Sequence, residues 1–536
     1  MHDSFSVYIL MLLIILFLVM LAQRLKISYP IILVLGGLAL SFSPWLPEIK
    51  IDPEMIFVIF LPPLLYEAAW QTSWKELWKW RRVVSSFAFL IVILTSGVIA
   101  IVSSNLIPGF TLALGFLLGG IISPPDAVSA TSILKGIKVP KRLISIVEGE
   151  SLLNDASSLI VFRFAIQAVD SGKFVFRDAA ISFFVVIIMG ILIGIAIALI
   201  FYAIHRWLPT TVNINILLTF IAPYVMYIVA EQLHFSGVLA VVSGGLFLSH
   251  RSHLIFDHRS RMRGENVWST IGFALNGIVF MLIGLELPVI IGQLGDTSLY
   301  DAIRYGLIIT AVLIVVRLLS TLGASLFTRL ISNVITTAER NPGWRGPLVF
   351  GWAGMRGVVS LAAALSIPIY MTNGAEFPQR NLILFITFIV ILITLVFQGL
   401  TLPWVVKWLN IEDPDDKTFK NSQEIIIQKK LSMAALKVLN DKYPDIANKH
   451  EILQNLKAKH VSHLRLSESK LAGVPDTFLD GDEFRNVMTE LISEQRAILQ
   501  QLNRKQEVDE ALIRKYNGLL DLEEENYSLR FNSESE

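Results

Sequence analysis

Apolar segments recur thirteen times before residue 407, each long enough, or nearly long enough, to cross a bilayer. About 20 predominantly apolar residues are needed for a helical span. The approximate limits are 5–22, 30–47, 54–70, 83–104, 111–134, 143–169, 178–204, 212–231, 236–250, 268–292, 300–328, 347–371 and 381–406. The second, third and ninth are short. In lipid every backbone polar group must be satisfied internally, so such segments fold as helices. The fold class expected is therefore an all-α polytopic membrane protein. Composition agrees: of 536 residues 54% are hydrophobic and 17% charged, whereas a soluble domain is about a quarter charged. The first segment lacks a basic region ahead of it and a small-residue cleavage site behind it, so it reads as a retained helix. With no cysteine, disulfides, thiolate metal sites and cysteine nucleophiles are excluded.

Basic residues divide unevenly between the loops. Those after odd-numbered segments hold 18 Lys and Arg, among them Lys75, Lys79, Lys135, Arg142, Arg251 and Arg345. Loops after even-numbered segments hold 5: Lys50, Lys173, Arg177, Arg304 and Arg380. The positive-inside rule places the amino terminus outside and the carboxyl terminus in the cytoplasm. The localisation expected is the cell inner (plasma) membrane. From about Ile411 the chain becomes rich in Lys, Glu, Gln and Leu, with helical periodicity in Phe484–Leu499 and Val508–Leu522. Residues 411–536 thus form a soluble helical tail, bounded by Asp413-Pro414-Asp415-Asp416 and interrupted at Gly473-Val474-Pro475. Asp480-Gly481-Asp482 is not a calcium loop, because position 12 counted from Asp480 is Leu491.

Charges inside the apolar segments carry the functional information. A charged side chain at bilayer depth costs about 2.5–3.5 kcal/mol on insertion scales, which makes it a functional-site hypothesis by default. The sixth segment contains Glu148-Gly149-Glu150-Ser151-Leu152-Leu153-Asn154-Asp155. Ser151 and Asp155, four apart, share a helical face, and all-oxygen ligation suits a hard cation. The bland alternative is a buried Asp155 tied up in a structural hydrogen bond. In the fifth segment Ser123-Pro124-Pro125-Asp126 should interrupt the helix. Freed carbonyls there, as at Pro125, are tolerated where they face protein or a wet cavity. Asp126 can cap the second half-helix, help shape an ion site, or do both.

The twelfth segment reads Gly351-Trp352-Ala353-Gly354-Met355-Arg356-Gly357. Arg356 stays charged and must be paired; Glu150 is the expected partner. Interrupted segments at matching places in two halves point to inverted repeats with a site at the midplane. In the third segment Glu67 follows Leu61-Pro62-Pro63-Leu64-Leu65-Tyr66 and is a cation ligand, a gate, or a helix-end carboxylate in interfacial water. Arg163 and Arg317 read as structural pairs or snorkelling side chains, Glu231 and Glu286 as solvated helix ends. His250, His253 and His258 share a basic loop and read as a solvated loop or a lipid-facing patch rather than as a pH sensor.

In order and spacing these motifs resemble the sodium/proton exchanger family, the monovalent cation/proton antiporter-1 group, of bacterial type. The resemblance covers residues 1–406 and rests on the Leu-Pro-Pro run to Glu67, the Asp126 break, Glu150-Ser151 with Asn154-Asp155, and Gly-Met-Arg356-Gly. It implies about 13 transmembrane helices with two crossing broken helices, and a homodimer. The implied core comprises helices at about 83–169 and 300–406, and the implied dimerisation helices lie at about 5–70 and 178–292. It further implies that Asp155 binds cation or proton, aided by Ser151 and a carbonyl near Pro125. Glu150 would pair with Arg356, and Asn154 would hold the broken helices. The family often has Thr-Asp-Pro at the break where this chain has Pro-Pro-Asp; a carbonyl ligand survives that change, a threonine hydroxyl does not.

The function expected is antiport of Na+, or Li+, against H+. Burial disfavours a charged carboxylate and a bound cation favours it, so the two cargoes exclude each other at one site. With Asn154 in place of a second Asp, the resemblance implies one proton per cation, hence electroneutral exchange. A K+/H+ exchanger on the same scaffold, and a cation channel or membrane sensor, are the alternatives. No enzyme motif stands in a plausible context. No cofactor and no nucleic acid are expected; membrane lipid and an unidentified regulator of the tail complete the expected partners.

Overall fold

The computed structural model describes residues 2–42, 53–137, 139–172, 176–294, 297–331, 343–411, 417–444, 450–471, 481–503 and 510–531. Among them the chain is all-helical, the one strand-like pairing being an isolated bridge between Tyr370 and Glu376. The Asp413–Asp416 boundary, the Gly473-Val474-Pro475 break, Asp480 and Val508 lie outside the described residues.

The chain divides into two compact units, Met1–Pro414 and Asp415–Glu536. In the first, α1 (His2–Leu25), α2 (Tyr29–Ser41) and α3 (Pro53–Gln71) precede α4 (Trp74–Ser85), which runs through a π-helical turn, Ser86–Ile91, into α5 (Val92–Leu106). The fifth apolar segment is split into α6 (Leu112–Ile122) and α7 (Ala127–Leu134). Then come α8 (Lys141–Ser171), α9 (Phe176–Trp207), α10 (Val212–Gln232), α11 (Gly237–His250), the short α12 (Ser252–Ile255), α13 (His258–Leu285), α14 (Leu287–Gly292) and α15 (Leu299–Ile331). The twelfth segment is split into α16 (Arg345–Trp352) and α17 (Val358–Leu365). A second π-helical turn, Thr394–Gln398, joins α18 (Arg380–Ile393) to α19 (Gly399–Leu409). Within the described residues each apolar segment falls on a helix or a broken pair, and residues 43–47 of the second segment lie outside them. Among the described residues eight helices, counted through their turns and breaks, have the length and apolarity to span a bilayer, and three shorter apolar ones accompany them.

Apolar side chains gather in two clusters. The larger joins α1, α2, α4–α8 and α13–α19; the smaller joins α3 and α9–α11 with Phe256 and Trp268. Helix α8 belongs to both, giving Leu143, Ile146, Val147, Phe162 and Ala165 to the first and Leu152 and Ala156 to the second. In lipid, helices associate through close packing of small residues rather than through hydrophobic burial. At Gly115 and Gly119 of α6 a Cβ would lie 2.6 Å from Ala100 and Ser96 carbonyl oxygens of α5, so these helices meet backbone to backbone. Outward faces stay apolar, as at Phe184, Ile188 and Leu192 of α9.

The second unit is helical: α20 (Lys417–Asp441), α21 (Glu451–Leu471), α22 (Gly481–Asn503) and α23 (Glu510–Phe531). Lys429 of α20 pairs with Glu468 of α21 at 3.0 Å. Arg496 of α22 reaches Asp521 and Glu524 of α23 at 2.6 and 2.5 Å.

Candidate cation and proton site

The two broken helices cross at their breaks. Asp126 N–H donates to the Met355 carbonyl at 2.7 Å, a direct backbone bond between the interruptions. A helix end leaves four backbone groups unpaired, and here side chains meet them. Arg356 donates from Nε to the Ile122 carbonyl at 2.8 Å and from an Nη to the Ser123 carbonyl at 3.1 Å. Its other Nη donates to the Gly354 carbonyl. A guanidinium therefore sits at the carbonyl ends of α6 and α16, where the helix dipole favours positive charge. Asp126 does the converse at the start of α7, accepting from Val128 N–H at 3.1 Å, Ser129 N–H at 3.2 Å and Ser129 Oγ at 2.5 Å. Gly357 leaves room for it: a Cβ there would come within 2.5 Å of an Asp126 carboxylate oxygen.

Helix α8 lies against this crossing along a polar row. Asn154 Nδ2 donates to the Pro125 carbonyl at 3.0 Å, and Ser151 Oγ accepts from Ala127 N–H at 3.2 Å. Ser158 Oγ donates to Gly120 at 2.7 Å, and Ser157 Oγ to Ala88 in the first π-helical turn. Such turns free carbonyls that then need outside donors.

Asp155 differs from its neighbours. It is buried, 8% exposed, and lines a cavity of about 320 Å³ together with Ser151, Asp126 and Glu67. Among the described residues no protein group donates to its carboxylate. Glu67 accepts from Gln71 Nε2 at 3.0 Å and lies over Gly272 of α13, where a Cβ would stand 1.6 Å from a carboxylate oxygen. The cavity reaches exposed residues at the carboxyl ends of α3 and α7, Gln71 and Lys135.

Two expectations need correction. The partner of Glu150 is Arg317, not Arg356: both Nη groups of Arg317 meet the two Glu150 oxygens at 2.5 Å, in a fork-to-fork geometry that fixes orientation as well as charge. Phe87 and Phe350 flank that guanidinium, their ring centroids 5.4 and 4.8 Å from it. Arg356 is occupied by carbonyls because it stands inside the break. Nor are Glu231 and Glu286 simply solvated. Glu231 pairs with Arg163 and accepts from Gly237 N–H at 3.0 Å, and Glu286 is buried, 8% exposed. Sequence reasoning did not connect Arg317 with Glu150, 167 residues away. It also missed Thr394, whose Oγ1 accepts from Arg356 N–H at 3.1 Å, and Gly272, which carries no signal of its own.

Residues 9–408 match the family described as sodium/hydrogen exchanger, transmembrane. An antiporter of Bacillus subtilis, named for sodium, potassium, lithium and rubidium against H+, is 35% identical over 390 residues, 70% of this chain and 57% of that protein. The low-affinity Na+/H+ antiporter NhaS1 of Synechocystis is 32% identical over 434 residues, covering 78% and 77%. The solved structure of the sodium proton antiporter MjNhaP1 from Methanocaldococcus jannaschii has the same fold, with a TM-score of 0.60 over 75% of this chain and 97% of that one at 20% identity. A transmembrane match over residues 9–408, carried on this crossing of broken helices, makes the chain a member of the sodium/hydrogen exchanger family of antiporters.

Proposed function

We propose that this protein exchanges Na+, or Li+, for H+ one for one, with Asp155 carrying either the cation or the proton. The observation that supports this most is the contrast among four acidic groups. Asp126 is occupied by the start of α7, Glu150 by Arg317 and Glu67 by Gln71. Asp155 faces the cavity, with no protein donor among the described residues. A buried carboxylate without a partner is costly as an anion, so it is stable when it holds a proton or a cation and not when empty. Ser151 Oγ, the carbonyl region near Pro125, and Glu67 across the cavity supply further oxygens. Arg356, Asn154 and the Glu150–Arg317 pair hold the frame.

Exchange then needs the site to face each side in turn. The helices at about 83–169 and 300–406 would move as a core against those at about 5–70 and 178–292, which would also pair two copies into a homodimer. The cavity reaches the surface beside Lys135, next to loops rich in Lys and Arg, which favours a cytoplasm-facing conformation with the amino terminus outside. The tail, residues 411–536, would regulate transport. One reading competes: the name of the 35% identical Bacillus relative includes potassium, and oxygen ligands alone do not fix cation size.

A pH-dye assay in proteoliposomes, with Na+, Li+ and K+ added in turn, tests both. The expected result is alkalinisation or acidification driven by Na+ and Li+, abolished in Asp155→Asn. A response to K+ of equal size would favour the competing cation, and intact exchange in Asp155→Asn would remove Asp155 from the mechanism. Clamping the potential with valinomycin and K+ should leave Na+ turnover unchanged if one proton moves per cation.

A further inference from the structure

Four carboxylates and one ammonium surround the cavity among the described residues: Glu67, Asp126, Glu148 and Asp155 against Lys135. Lys135 marks the cavity's opening, and Glu148 lines it beside Lys135. They are paired, Nζ to Oε1 at 3.2 Å, with side chains 57% and 30% exposed. Glu148, Ser151 and Asp155 are spaced i, i+3, i+7, which puts them on one stripe of α8. Glu148 stands two turns, about 10 Å, from Asp155 toward the helix start. Lys135 follows the last residue of α7 and reaches across to it. A cation travelling along this stripe to Asp155 must pass the pair.

We propose that Lys135 and Glu148 form a charge-compensated mouth that sets the apparent affinity for the incoming cation. Glu148 attracts the cation, Lys135 repels it, and their pairing holds the two effects in balance. This rests on Asp155 being the exchange group. At about 10 Å in a wet mouth, one uncompensated charge changes cation occupancy about two- to tenfold. A purely structural ion pair behaves differently: removing either partner breaks the same contact and has the same sign of effect.

The test measures KM and kcat for Na+ in proteoliposomes from the side to which the cavity opens. Lys135→Gln should lower KM about threefold and Glu148→Gln raise it about threefold, with kcat within about twofold of the parent. Added N-methylglucamine chloride should draw both values back toward the parent by screening. The exchange of partners, Lys135→Glu with Glu148→Lys, should restore the parental KM. Because the chain lacks cysteine, Lys135→Cys can be labelled after folding with a positively or negatively charged thiosulfonate. The positive label should raise KM relative to the negative one. Shifts of the same sign in both glutamine variants, no shift in either, or no difference between the labels would overturn the proposal. Asp155→Asn runs alongside: exchange surviving there refutes the exchange-group reading, whatever the mouth variants do.

Discussion

Asn154 donates one amide hydrogen bond to the Pro125 carbonyl, while its Oδ1 is buried without a partner among the described residues. An isosteric carboxylate could not donate that bond and would set a negative oxygen against a carbonyl. Asn154→Asp should therefore destabilise the fold by about 1–3 kcal/mol, read as a lower midpoint of thermal unfolding in detergent. An unchanged midpoint would mean that Asn154 does not hold the break. The Glu150–Arg317 pair makes a sharper case, being 1% and 4% exposed. Removing one partner leaves a buried charge, at a cost of about 3–5 kcal/mol, whereas replacing both by apolar residues is often near neutral. Arg317→Met should reduce folded yield severely, and Arg317→Met with Glu150→Met should recover much of it. Equal loss in the single and double variants would show that orientation, not charge balance, is what the pair supplies.

At the scale of elements, the breaks were legible and their fastenings were not. Pro124-Pro125 ahead of Asp126 announced the gap between α6 and α7, and the glycines around Arg356 announced that between α16 and α17, because both are local backbone effects. A Pro-Pro pair alone is not decisive, since Pro62-Pro63 stays within α3. That Ser151 and Asp155 share one face of α8, where both line the cavity, was legible from helical spacing, and the cap at Asp126 from its place after the Pro-Pro break. The Glu150–Arg317 partnership was not, because nothing local in either sequence encodes which distant helix faces it. Nor was the role of Gly357, which exists only in the crossing. Gly357→Ala should push Asp126 off its cap, since the added carbon would come within 2.5 Å of the carboxylate. Loss of such a cap costs about 0.5–2 kcal/mol. Turnover should fall about tenfold or more in well-inserted protein, because a misplacement of about 1 Å can cost a hundredfold. Parental turnover in that variant would show that the crossing tolerates a looser fit than its geometry suggests.

For the whole molecule, the chain divides into Met1–Pro414 and Asp415–Glu536, and a cut between them tests what the tail does. A chain ending at Pro414 should keep Na+/H+ exchange in vesicles while its regulation changes; properly inserted but inactive protein would show the tail to be part of the transport machinery. Within the first unit, α8 is the helix on which movement bears. That helix carries Asp155 and contributes to both apolar clusters, and eight residues beyond Asp155 its Arg163 pairs with Glu231 of α10. Glu231 is in turn held by Gly237 N–H at the start of α11. The pair therefore ties α8 to α10 and α11. If α8 shifts against them in each cycle, the tie must part each time, and its energy adds to the barrier. Where side chains 45% and 28% exposed meet water rather than lipid, such a pair is worth no more than about 1 kcal/mol, or a rate factor of about five. Arg163→Ala and Glu231→Ala should each lower thermal stability slightly and raise kcat up to about fivefold, without shifting KM in opposite directions. The charge exchange Arg163→Glu with Glu231→Arg should return both toward the parent. Stability that falls with no gain in turnover would mean that α8 and α10 travel together, and that the moving boundary lies elsewhere in the bundle.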